Sequence, residues 1–236
     1  MSLIQGTGGG LGGAGAPGGA LGNFYSHLLD QSLKFNDGDS QSLSRTPASA
    51  GNRKTYTWSA WIKRSTLGAT MGLFSSYSAG NDADSIYFGF ASGNQFIISL
   101  HSLEFRRTNR LFRDTSAWYN IVVAIDTTDG TAGNRVKIYV NGVEETSFST
   151  TNKPSQNVDT CINQAAVHYL GRRADITNYF DGYLAEINFI DGTALTADSF
   201  GETKDGIWIP KDTSGLTRTE RRRVGKAEKN EVVRGR

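Results

Sequence analysis

The sequence predicts an all-β protein, an antiparallel two-sheet jelly-roll β-sandwich occupying residues 31–215 of the 236-residue chain. Three observations carry that expectation. Apolar residues recur at a period of two in short runs, so each run turns one face to a core. Clusters of Gly, Asn, Asp and Ser separate the runs at fairly regular spacing, which gives about ten to twelve short strands, the pattern of a sandwich. Within the domain the one convincing helical turn is LTADSF at 195–200, where Thr196 stands ready to cap the amide of Asp198 or Ser199.

Residues 6–22 hold ten glycines, and such a segment cannot offset its backbone entropy by burial. Residues 1–30 are therefore expected to be a flexible arm, with a short helical turn at Asn23–Leu29. Gln31–Asn36 reads as the first strand, Asn36-Asp37-Gly38-Asp39 as a turn and Gln41–Arg45 as a second strand. In YTWSAWIK at 56–63, Trp58, Ala60 and Ile62 share one face, while Thr57, Ser59, Trp61 and Lys63 share the other. One tryptophan is then core and the other a partly covered surface aromatic, unless both are buried. Gly72–Ser76, Ser85–Phe90, Gln95–Leu100, Leu103–Thr108, Val167–Gly171 and Phe180–Ile190 are further strands.

The clearest pair lies between Trp118 and Val143, with strands at Tyr119–Asp126 and Arg135–Asn141. Val136, Ile138 and Val140 should face the core, with Lys137, Tyr139 and Asn141 toward solvent. Asn141-Gly142 supplies the positive φ that a type I′ turn needs at both central residues, and a strand at Val143–Ser149 should follow.

With 37% hydrophobic and 20% charged residues, the chain can bury a sizeable core. It contains no apolar run of about 18 residues, so no membrane insertion is expected. Its first residues, MSLIQGTGGG, lack the basic and apolar regions of a secretory signal. Cys161 is the single cysteine, which excludes an internal disulfide framework and a cysteine-based zinc site. The absence of any Asn-x-Ser/Thr sequon disfavours a eukaryotic ectodomain. Net charge is +2, unevenly placed. From Arg218 to Arg236 eight Lys/Arg and three Glu give +5, leaving −3 on the remainder. The basic tail over 216–236 lacks interleaved aromatics and mixes in glutamates, which favours a solvated tail over a nucleic-acid arm.

The order of blocks carries a resemblance. TYTWSAWIKR (55–64), LFS (73–75), SAWYNIVVAIDTT (116–128), VKIYVNGVEE (136–145), YLGRR (169–173) and YFDGYLAEINFIDGTALTADSFG (179–201) together resemble the laminin-G-like branch of the concanavalin-A-like lectin/glucanase superfamily. The likeness covers about residues 33–210 and implies a concanavalin-A-like sandwich. LSRTPASAGNRKTYTWSAWIKRSTLG (43–68) is similar to modules in structural proteins of tailed-bacteriophage tails or fibres. Those modules continue past GLT with further strands, whereas this chain turns basic after Thr217. The resemblance thus implies a last strand that is missing or supplied by a partner.

The glucanase relatives carry their acids on one strand as E-x-D-x-x-E or E-x-D-x-E. Here the corresponding stretch is EINFID (186–191), in which Asn188 replaces the middle acid, and Asp191 points away from Glu186 unless a bulge intervenes. Glu186 is better read as a structural acid near a sheet end. No G-x-S-x-G occurs, and His27, His101 and His168 show no triad or metal spacing; His168 reads as a satisfied sheet residue. Cys161 reads as a small buried residue, and the glycine-rich arm lacks the Lys-Ser/Thr of a phosphate loop. No enzyme activity is expected.

Laminin-G-like domains often hold calcium at the sandwich rim, so the resemblance makes Asp82 and Asp84 in one loop, and Asp126, Asp129 and Asn134 in another, candidate ligands. Asp and Asn in these loops also suit plain turns. Trp61, Tyr77, Tyr179 and Tyr183 are the aromatics available for a sugar platform. The expectation is a non-catalytic, virion-associated recognition module and homo-oligomer, attached to virion proteins through the N-terminal arm, whose many copies bind a cell-surface glycan or another host-surface ligand by avidity. The alternatives are a structural virion component packed on its neighbours, and a glycan hydrolase.

Overall fold

The computed structural model describes residues 24–77, 85–100, 103–174 and 178–216. The glycine-rich stretch at 6–22 and the tail beyond 216 lie outside the described residues.

Strands are numbered along the chain. One sheet runs β1 (Leu33–Phe35), β13 (Gly182–Asp191), β3 (Thr55–Arg64), β8 (Tyr119–Asp126), β9 (Val136–Val140), β10 (Val143–Glu144). The other runs β11 (Phe148–Thr150), β7 (Leu103–Leu111), β6 (Gln95–Leu100), β5 (Ser85–Phe90), β4 (Met71–Tyr77), β12 (His168–Leu170), β2 (Leu43–Arg45). A hairpin of β14 (Gly201–Lys204) and β15 (Ile207–Pro210) forms a separate small sheet. Every strand pairing is antiparallel, so the expected two-sheet sandwich is present. No helix among the described residues is long and apolar enough to cross a membrane.

The main core is an aromatic layer between the sheets. Trp58 lies parallel to Phe74 at 6.2 Å and tilted to Phe88 at 5.8 Å. Ile121, Val123 and Ile125 of β8 and Val136, Ile138 and Val140 of β9 complete it, as the period of two requires.

The opposite face of β8 and β9 departs from expectation. Tyr139 is only 6% exposed, because Leu195, Ala197, Phe200 and Trp208 fold back over it with Val122 and Ala124 into a second core. Asn141 and Gly142 have φ of 48° and 84°, as the expected turn demands. A Cβ on Gly142 would also stand 2.4 Å from the Trp208 ring, so two constraints select glycine there.

Three further expectations are corrected. The strand expected at Val143–Ser149 is divided: β10 ends at Glu144, and β11 joins the edge of the other sheet beside β7. Buried Glu145 accepts from Arg110 Nε at 2.7 Å and from the Ser147 amide at 3.2 Å, which turns the chain between them. No helix forms in 24–29; Ser26 donates to Glu202 and His27 contacts Glu186, tying this segment to β14 and β13. The turn at Ala197–Ser199 has no side-chain cap, since the Thr196 hydroxyl donates to the Asp198 carboxylate instead.

Candidate functional site

Phe74, Phe88 and Ile98 point into the core, so Ser75, Tyr87 and Ser99 beside them point out of the seven-stranded sheet. Tyr169 also pairs with Ser75, which makes a transverse row Tyr169, Ser75, Tyr87, Ser99, Glu104. With strands about 4.8 Å apart, the two tyrosines stand about 10 Å apart with a small serine between them.

The chain leaving β12 turns at Gly171, whose φ is 81°, and lies back across that gap. Ser75 Oγ donates to the Arg172 carbonyl at 2.9 Å. A Cβ on Gly72 would stand 2.3 Å from both the Arg172 carbonyl carbon and the Arg173 nitrogen, so glycine permits this approach. The two arginines then diverge. Arg172 sits over Tyr169 at 4.0 Å and reaches Tyr179 at 5.7 Å, while Arg173 sits over Tyr87 at 4.1 Å. Arg172 Nε and Nη2 donate to the carbonyls of Arg173 and Ala174 at 2.9 and 3.2 Å, fixing the loop to itself.

Next along the row, Glu104 takes two bonds from Arg107, at 2.9 and 2.5 Å. Burial pushes the Glu104 pKa up, but the Arg107 and Thr150 hydrogen bonds and the Arg107 charge outweigh it and hold the carboxyl below its ordinary value. That acid is therefore neutralised locally. Two guanidinium groups held over phenol rings on one sheet face place paired positive charge where a carboxylate or sulfate could meet it, which suits recognition of an anion.

The four aromatics expected in the platform do not meet in one place. Tyr77 shares the outer face with Tyr87, pairing with Ser85 one diagonal away, and Tyr179 joins through Arg172. Tyr183 lies on the other sheet, 6.4 Å from Trp118. Trp61 is also on that sheet and is 7% exposed, too buried to offer a ring face. Tyr87, Tyr169, Arg172 and Arg173 were the residues missed; YLGRR and the alternation in SIYFGF held the signal, but the loop that unites them is a tertiary event.

The candidate rim acids within the described residues are engaged in local turns. Asp126 Oδ1 accepts from Thr55 Oγ1, and from the amide and hydroxyl of Thr128 at 3.0 and 2.6 Å. Asp129 Oδ1 accepts from the Thr131 amide at 2.6 Å, and the Asn134 amide donates to Thr131 O. Among the described residues no three His, Cys, Asp or Glu side chains gather, and Asp82 and Asp84 lie outside them.

Glu186 and Asp191 serve separate networks. Glu186 sits at a bulge in the middle of β13, not near a sheet end, with φ of 45°. Its carboxylate contacts His27 Nε2 at 3.0 Å and accepts from Thr213 Oγ1 at 3.1 Å. Asp191 Oδ1 accepts from the Asn52 amide at 2.8 Å and Asn163 Nδ2 at 2.6 Å.

A second concavity lies between the sheets where β2 and β12 extend beyond the opposite layer. It encloses about 380 Å³ among Leu43, Arg45, Trp58, Phe74, His168 and Phe189. His168 is satisfied, as expected: Nδ1 donates to Ala166 O at 2.8 Å, and Nε2 accepts from the Asn163 amide at 2.9 Å. Burial lowers its pKa, opposed by the Ala166 bond. The unfolded chain therefore binds this proton first, so the contribution is full above the unfolded value of about 6.5 and is lost as pH falls toward the folded value. Urea midpoints at pH 7.5 and 5.0 should differ more for the native chain than for His168→Gln; equal differences would place the acid sensitivity elsewhere.

A family model described as concanavalin A-like lectin/glucanases superfamily matches residues 36–199. Among solved structures, a heptameric SAP-like pentraxin from Limulus polyphemus is 17% identical, with a TM-score of 0.48, over 65% of this chain and 70% of that one. Domains LG4-5 of the mouse laminin alpha1 chain are 16% identical, with a TM-score of 0.49, over 73% of this chain and 44% of that one. The CBM40 of a Ruminococcus gnavus IT-sialidase is 12% identical, with a TM-score of 0.47, over 72% of this chain and 95% of that one. No curated protein sequence matches the chain.

Proposed function

The chain belongs to the concanavalin A-like lectin/glucanases superfamily, and from that premise we propose a non-catalytic recognition module that binds an acidic glycan on a host surface. One observation carries the reading: Arg172 and Arg173 are held on Tyr169 and Tyr87 across the outer face of the seven-stranded sheet. In this reading the module belongs to a phage-like virion, attached by its N-terminal arm, and many copies convert weak single-site binding into avidity. The separate engagement of Glu186 and Asp191 supports binding without hydrolysis.

A glycan array probed with the intact chain, with and without EDTA, tests this. Saccharides bearing carboxylate or sulfate should bind and neutral ones should not, with or without the chelator. Raising salt should weaken binding, and Arg173→Ala should lower affinity about tenfold, the scale of a charge-assisted hydrogen bond. Uniformly blank arrays would overturn the proposal in favour of a virion part that packs on its neighbours. Release of reducing sugar from bacterial surface polysaccharide would revive hydrolysis.

A further inference from the structure

Glu104 and Arg107 are an odd number of residues apart on β7, a spacing that sends side chains to opposite faces of a regular strand. A bulge reverses this. Ile98 pairs with Arg106 but Ser99 pairs with Glu104, which makes Phe105 the extra residue. Phe105 joins the main core, and Arg106 turns inward as well, donating to Val136 O of the other sheet at 3.4 Å. Glu104 and Arg107 are thereby left together on the outer face, where Arg107 Nε and Nη2 close on the carboxylate at 2.9 and 2.5 Å. Both remain partly open to solvent, with side chains 25% and 32% exposed.

This pair borders the Arg172–Arg173 site. Tyr87, Ser99 and Glu104 are directly paired across β5, β6 and β7, which sets Glu104 about 10 Å beyond Tyr87 at two strand spacings. Arg107 lies near enough to the Tyr87 hydroxyl for the two to interact electrostatically. A third arginine therefore stands beside the second ring, and its side-on fork is held by Glu104. In the gap between Tyr169 and Tyr87, the Ser75 hydroxyl has committed its single proton to Arg172 O.

Resting on the acidic-glycan reading above, we propose that Glu104 determines specificity at this site by withholding Arg107. The row then accepts saccharides whose acid groups are sparse, one at each tyrosine-borne arginine, and disfavours those acidic on every sugar. The order of charges is the reason. The rings that carry Arg172 and Arg173 stand about 10 Å apart, farther than a single sugar ring reaches, with no serine proton left between them. Past Tyr87 the next acid group of a dense chain meets the Glu104 carboxylate, a repulsive element built against the wrong ligand.

Calorimetric titration of the full chain with two tetrasaccharides tests this. One is from hyaluronan, with a carboxylate on every second sugar; the other is from polygalacturonate, with a carboxylate on every sugar. The native chain should bind the hyaluronan fragment at least as tightly, despite its lower charge. Glu104→Gln keeps the shape and frees Arg107, so the galacturonate fragment should bind about tenfold tighter, the scale of one charge-assisted hydrogen bond, with hyaluronan affinity unchanged. Arg107→Gln leaves the carboxylate uncompensated and should weaken the galacturonate fragment about tenfold, again sparing hyaluronan. This second variant tests the same charge from the other side, even where Glu104→Gln folds poorly. Tighter galacturonate binding by the native chain, or equal affinities in the native chain and both variants, would overturn the proposal and leave the acidic-glycan reading standing. Failure of the native chain to bind either fragment would overturn that reading, and the proposal with it.

Discussion

Trp58→Ala is expected to remove about 3–5 kcal/mol of folding stability, the range for deleting a large buried aromatic. The indole is fully buried, parallel to Phe74 and against Phe88, so truncation withdraws the contact that joins β3 to β4 and β5 across the sandwich. Domains are stable by only about 5–15 kcal/mol, so this one change approaches the margin. Urea unfolding followed by far-UV circular dichroism measures it, with the midpoint shifting at constant slope. Trp58→Phe sharpens the interpretation. It keeps most of the ring stack but deletes the unpartnered Nε1–H, so the loss of packing is partly offset by removal of a buried donor. A loss below about 1 kcal/mol in the alanine variant would mean that the aromatic layer closes over the gap, against the behaviour of close-packed cores.

Periodicity made much of this fold legible. YTWSAWIK and VKIYV alternate in the sequence, and their apolar faces meet in the main core. Asn141-Gly142 fixed a turn because its positive φ values are a local requirement. What periodicity could not show was cover on the second face. Tyr139 reads as solvent-facing until Phe200 and Trp208 return over it from some sixty residues later. Arginines were opaque in the same way. Arg106 donates to Asn152 O at 2.6 Å and Arg135 to Pro154 O at 2.9 Å, both buried where an alternating charge reads as surface. The candidate site was half legible: the rings of Tyr77 and Tyr179 stand out in the sequence, whereas Arg172 and Arg173 become candidate binding groups only by lying across Ser75.

Gly72→Ala should uncouple that site from the rest of the sandwich. The added Cβ would meet two backbone atoms at 2.3 Å, and backbone cannot swing aside as the tip of a side chain can. Relief requires the Arg172–Arg173 segment to lift from the sheet. Lifting it stretches the Ser75 bond to Arg172 O and the Gly72 amide bond to Asn178 O, now 2.9 and 3.1 Å. Overpacking of this kind costs about 1–3 kcal/mol, read as a lower urea midpoint. Affinity for acidic saccharides should fall at least tenfold although no arginine or tyrosine has changed, because stacked guanidinium groups bind through their fixed orientation. Gly130→Ala is the matched control, since a Cβ there meets nothing within 4 Å. If Gly72→Ala kept both its midpoint and its saccharide binding, the loop would not be what positions the arginines. If it lost stability but kept binding, the anion contacts would lie elsewhere on the sandwich. Only joint loss, with Gly130→Ala unaffected, ties recognition to the close passage of one backbone over another.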